Sequence, residues 1–187
     1  MKKVRNLYFL AFDLLIVFIA FTVGVKYINV DNVGNQGTEI GFSSFNTSIQ
    51  HMIGSNDTFY MISEILGFAS LLACVAFGIY GLVQWIKRKN ILKVDYDIIA
   101  LGIFYIIVIG LYVMFSFVTI NYRPIGELEP SYPSSHTLLA ITVMSTAIYQ
   151  IRKKVPTDKF WWRLGLQAGC YVVLVGTVMF RFLSGAH

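Results

Sequence analysis

The residues in this chain whose types and spacing could do chemistry are few and lie beside apolar runs. Pro133-Ser134-Ser135-His136 follows Arg123-Pro124 by ten residues, and Arg181 precedes His187 with five residues between them. Guanidinium forks bind phosphate oxygens bidentately. Of two imidazoles, one can attack phosphorus as the neutral nucleophile while the other protonates the leaving oxygen. An unperturbed pKa of about 6.5 lets histidine do both near neutral pH. Ser131, Ser134 and Ser135 are helix-capping types and Pro133 favours a first helical turn, so this motif opens a helix. Its free backbone N–H groups and the positive end of its dipole then form an anion site. Such a set needs no metal, because Arg charges and a helix N-terminus can stabilise the transition state. A metal site on His51, His136 and His187 is the competing idea, but no HxH or HExxH spacing supports it.

The elements that must position these residues are membrane-type helices. Of the 187 residues, 56% are hydrophobic and 13% charged, with mean hydropathy +0.65. That is too apolar for an ordinary soluble domain and fits one membrane-embedded domain over residues 1–187. The fold class expected is all-α, a polytopic transmembrane bundle. A crossing takes about 20 residues, and five stretches qualify or nearly so: Leu7–Val25, Ile62–Ile86, Ile98–Ile120, the short Ser134–Ile151, and Leu164–Leu183. The first is read as an uncleaved helix, being longer than a signal-peptide core and lacking a small-x-small cleavage site.

Basic residues set the orientation. Lys2, Lys3 and Arg5 precede the first span. Lys87, Arg88, Lys89 and Lys93 join the second to the third. Arg152, Lys153, Lys154, Lys159 and Arg163 join the fourth to the fifth. This puts 12 of the 15 Lys and Arg on one side, the expected cytoplasmic one, with the N-terminus. The three exceptions are Lys26, Arg123 and Arg181, and two of them belong to the motifs, so the proposed site faces outward. No basic run interleaved with aromatics argues for nucleic acid.

Other features carry less. Cys74 and Cys170 fall inside apolar runs and read as small buried hydrophobes. Asp13 is unusual within a span and reads as a polar anchor, bonded to a neighbouring helix or near the cytoplasmic surface. In the outer loop, Phe42, Phe45, Ile49, Met52 and Ile53 recur at near-helical spacing, which predicts a short amphipathic helix at the interface. It could guide lipid head groups or plug the bundle. Glu64 has no assigned role, and Glu127 and Glu129 lie in the loop before the Ser-His motif, where they face water or tune His136.

Taken together, Arg123-Pro124, Pro133-Ser134-Ser135-His136 and Phe180-Arg181 followed by His187 resemble the three blocks KxxxxxxRP, PSGH and SRxxxxxHxxxD of the type-2 phosphatidic acid phosphatase and vanadium haloperoxidase superfamily. The resemblance covers the chain from about residue 40 onward and is to the membrane branch, the lipid phosphate phosphatases. It implies six helices, an outward-facing site and no cofactor. It implies that His187 is the nucleophile that forms a phosphohistidine and that His136 is the general acid. Arg123 and Arg181 would bind phosphate oxygens, and Ser134 with the backbone at Ser135 would complete the cradle.

The chain departs from the pattern at Ser116, where the family has Lys, at Ser135 for Gly, and at Phe180 for Ser. The block's final Asp and the sixth helix would lie beyond His187, so a C-terminally truncated form of a longer protein is expected. The leading expectation is a metal-independent membrane phosphatase acting on a lipid phosphate or a polyprenyl diphosphate. A non-catalytic lipid-phosphate binder on the same scaffold and a lipid phosphotransferase are the alternatives. Membrane lipids are the only other partners expected, and the oligomeric state is not legible.

Overall fold

The computed structural model of the protein describes residues 2–123 and 130–185. His187, Pro124, Glu127 and Glu129 lie outside them. Among the described residues the regular elements are helical, with six α-helices: α1 Lys2–Tyr27, α2 Ser43–Ile53, α3 Asp57–Arg88, α4 Tyr96–Phe117, α5 Ser135–Lys154 and α6 Phe160–Leu183. Two isolated antiparallel bridges, Asp31 with Ile40 and Tyr122 with Pro130, pinch the connections.

Four helices are long and apolar enough to cross a membrane: Val4–Tyr27, Asp57–Arg88, Tyr96–Phe117 and Thr157–Leu183. Their outer faces carry Leu, Ile, Val and Phe exposed along most of each helix. Water would not tolerate so continuous an apolar surface, whereas hydrocarbon would. The remaining expected span, α5, differs for a physical reason. It is wrapped by α3, α4 and α6, with Ala140, Val143, Met144, Ala147 and Ile148 all buried. A helix covered by protein can carry hydroxyls. Thr142 donates to the Leu138 carbonyl at 2.6 Å and Thr146 to the Thr142 carbonyl at 2.8 Å, while the Tyr105 hydroxyl pairs with Thr146 at 2.8 Å.

The centre of the bundle is the trio α3, α5 and α6, and small residues bring these helices together. Ser63, Gly67 and Ser70 fall on one face of α3, and both serines are fully buried. Small residues at such spacing allow close helix approach where hydrocarbon supplies no hydrophobic drive. Leu101 and Tyr105 of α4 join Val143 and Met144 of α5 in the core.

The termini are specified locally. The Asn56 side chain caps α3 by accepting from the Phe59 N–H at 3.0 Å, and Asp57 lies in the first turn where the dipole favours it. At the opposite end, Lys154 from α5 donates to Asp95 at 2.5 Å, and Arg88 from the end of α3 reaches the same carboxylate at 2.8 Å. Lys153 and Lys154 also pair with Asp97. The Lys154 ammonium first, then Arg88 and Gln84, hold the Asp95 carboxyl well below the usual carboxylate range. The basic connections thus gather at one end of the bundle, with Arg123 and Arg181 at the other.

The outlying helix is α1. It touches the rest near its C-terminal end, where Phe18 meets Phe115, Phe21 meets Phe42 and Tyr132, and the Thr22 hydroxyl pairs with that of Tyr132 at 2.9 Å. Asp13 is exposed on α1, not packed against a neighbouring helix as an anchor would be. The expected amphipathic helix is α2, and it leaves Phe45 and Met52 exposed.

Candidate functional site

The end of the bundle away from Lys154 is built from the starts of α3 and α5 and the last turn of α6. Ser134 is the N-cap of α5, so Ser135 and His136 occupy its first turn as the capping types predict. The Ser134 side chain, however, makes no capping hydrogen bond, and its Oγ is buried without a partner among the described residues. The first-turn N–H groups and the helix dipole of α5 therefore meet a buried hydroxyl that is still open to a ligand.

Arg181 lies in the last turn of α6 and is 2% exposed. A snorkelling arginine would be exposed at its tip, but this one points inward. Its Nη1 donates to Glu64 Oε1 at 2.5 Å and to the Ser63 hydroxyl at 3.2 Å. Its guanidinium lies 4.8 Å from the centre of the Tyr60 ring. Arg123, just beyond α4, approaches the same ring at 6.0 Å and donates from Nη1 to the Tyr60 hydroxyl at 3.4 Å. One tyrosine on the first turn of α3 therefore gathers both guanidinium groups by cation–π attraction.

His136 faces this pair. Its Nε2 is 3.1 Å from Glu64 Oε2 and its Nδ1 is 3.3 Å from the Ser135 hydroxyl. The imidazole fits against α3 because position 67 is glycine: a Cβ there would stand 2.2 Å from His136 Cδ2. The structure thus brings together Arg123, Arg181, Ser134, Ser135 and His136. His187 lies outside the described residues. Gly185, two positions earlier, is anchored beside the start of α3, where Asn56 N–H donates to the Ser184 carbonyl at 3.1 Å.

No family model, curated protein or solved structure matches this chain.

The departures from the three blocks have visible consequences. Ser116 is exposed and donates back to the Tyr112 carbonyl at 3.0 Å, so this position adds no charge to the site. Phe180 packs against Phe59 with ring centres 5.5 Å apart and the rings tilted by 45°, a packing role. Three residues at the site carry no motif: Tyr60, Ser63 and Glu64. The signal for Glu64 was a carboxylate inside an apolar span, which is costly unless it has partners. No group of three or more His, Cys, Asp or Glu converges among the described residues. The arrangement can bind an anion and pass a proton at its edge.

Proposed function

We propose that this protein is an integral-membrane lipid phosphatase that hydrolyses a lipid phosphate or polyprenyl diphosphate at the outer leaflet through a phosphohistidine intermediate. The observation that carries this reading is the convergence of Arg123 and Arg181 on Tyr60, beside His136 in the first turn of α5. In this reading five helices cross, α5 being the protein-wrapped one, and the N-terminus is cytoplasmic. The two cations take the equatorial phosphoryl oxygens, with the α5 N-terminus and the Ser134 hydroxyl completing the cradle. His187 attacks phosphorus and His136 gives its proton to the leaving oxygen. Water then releases phosphate from the phosphohistidine. The site lies at the level of helix ends flanked by apolar faces, which suits a head group whose tail stays in the bilayer.

The test is phosphate release in detergent, with chelator present, from phosphatidate, phosphatidylglycerol phosphate and a polyprenyl diphosphate. Release from at least one is expected, and His136→Ala should lower it by about 10²- to 10⁴-fold, the range for a lost general acid. Full activity of His136→Ala, or release that stops with chelator, would sink the mechanism.

A further inference from the structure

Among the described residues, Glu64 is the acidic side chain bonded to both halves of the site. One oxygen takes Arg181 and the other takes His136. The reading of His136 as a proton donor leaves open which ring nitrogen delivers the proton. We propose that Glu64 is a positioning residue that holds His136 by Nε2–H, so that Nδ1, on the Ser135 side of the ring, is the nitrogen that hands the proton to the leaving oxygen. This inference rests on the phosphatase reading and deepens it.

A carboxylate only accepts, so the imidazole nitrogen beside it carries hydrogen. With Nε2–H committed to Glu64, the neutral ring has its lone pair on Nδ1, within 3.3 Å of the Ser135 hydroxyl. That side also faces the first turn of α5, where the phosphate is expected to sit. A carboxylate on the far nitrogen fixes the tautomer and stabilises the imidazolium, as a carboxylate does for a catalytic histidine elsewhere. Arg181 holds the other Glu64 oxygen, which keeps the carboxylate beside the ring, and the absent Cβ at Gly67 leaves the space that the imidazole occupies. In the chemical step the Nδ1 proton passes to the leaving oxygen as the P–O bond breaks and its electron pair stays on that oxygen. The imidazole is left neutral with Nε2–H still on Glu64. Among the described residues, the charged and titratable groups facing His136 are Glu64 and Tyr60 from α3, Arg181 from α6 and Arg123 from the segment after α4. Of these, Glu64 is the acid that favours the protonated ring, and the two arginines oppose it.

The test compares Glu64→Gln with the unaltered protein on a short-chain phosphatidate, over pH. Glutamine can still accept from Nε2–H but carries no charge. The expected result is kcat lower by about 100-fold, KM little changed, and the alkaline limb of kcat moved to lower pH. Unchanged kcat with the limb in place would overturn the proposal. So would a lower KM with kcat kept, which would make Glu64 a carboxylate that merely competes with phosphate. A second measurement needs no folded Glu64 variant: nitrogen NMR of the ¹⁵N-histidine-labelled protein, with the His136 signal assigned by its loss in His136→Ala. At high pH the Nε2–H tautomer is expected, and an Nδ1–H tautomer would overturn the assignment. No phosphate release from the unaltered protein would instead remove the phosphatase reading itself, and full release in His136→Ala would remove its histidine mechanism, so these failures are distinct from that of the Glu64 assignment.

Discussion

Gly67→Ala is expected to lower phosphate release by about 100-fold, the cost of misplacing a reacting group by about 1 Å. The added methyl would stand 2.2 Å from His136 Cδ2, far inside van der Waals contact. Because α3 is locked between α5 and α6 by fully buried Ser63 and Ser70, the helix has little freedom to retreat, and the imidazole must rotate off Glu64. Overpacking of this kind also costs about 1–3 kcal/mol of stability. Steady-state kinetics and thermal unfolding of the purified variant would check both. Unimpaired turnover in a stably folded Gly67→Ala protein would mean that the ring does not work from the position seen against α3.

Arg181→Ala should lower kcat by about 10²- to 10³-fold, as removal of one oxyanion-stabilising donor does in other enzymes. The side chain is nearly fully buried and serves Glu64, Ser63 and the Tyr60 ring at once. Its loss strands the Glu64 carboxylate beside His136 and removes a positive charge from the phosphate seat. Arg181→Lys should recover little, because a single ammonium cannot keep Glu64 and Ser63 while reaching a phosphate oxygen. Phosphate-release kinetics on both variants are the check, and wild-type kcat in Arg181→Lys would show that the fork geometry is irrelevant.

Much of this architecture is written locally. The apolar runs are long and strongly patterned, and Ser134 and the Lys-rich turns mark helix ends by their chemistry, so the helices and the grouping of basic residues are legible in the sequence. The motif residues are legible too, because Arg and His in apolar surroundings are rare. What stays hidden is tertiary. Glu64 gains its meaning from residues 117 and 72 positions away, Arg181 and His136, and nothing in its own neighbourhood announces them. Tyr60 resembles any interfacial aromatic until two guanidinium groups lie against its ring. Gly67 looks like an ordinary small residue in a span until an imidazole fills the space beside it. The burial of α5 by neighbouring helices, which lets it carry hydroxyls, does not appear in a hydropathy pattern, where its run is only short. Asp13, read as a polar anchor bonded to a neighbouring helix or lying near the cytoplasmic surface, is exposed on α1, which leaves the second of these.

The most direct test of the account is a rapid alkaline quench of the protein during turnover of ³²P-labelled phosphatidate, followed by mapping of the label. The account predicts a base-stable, acid-labile phosphoryl group on His187, formed at a rate at least equal to kcat and absent in His187→Ala. Label on Ser135, or steady turnover with no labelled protein at any quench time, would contradict it.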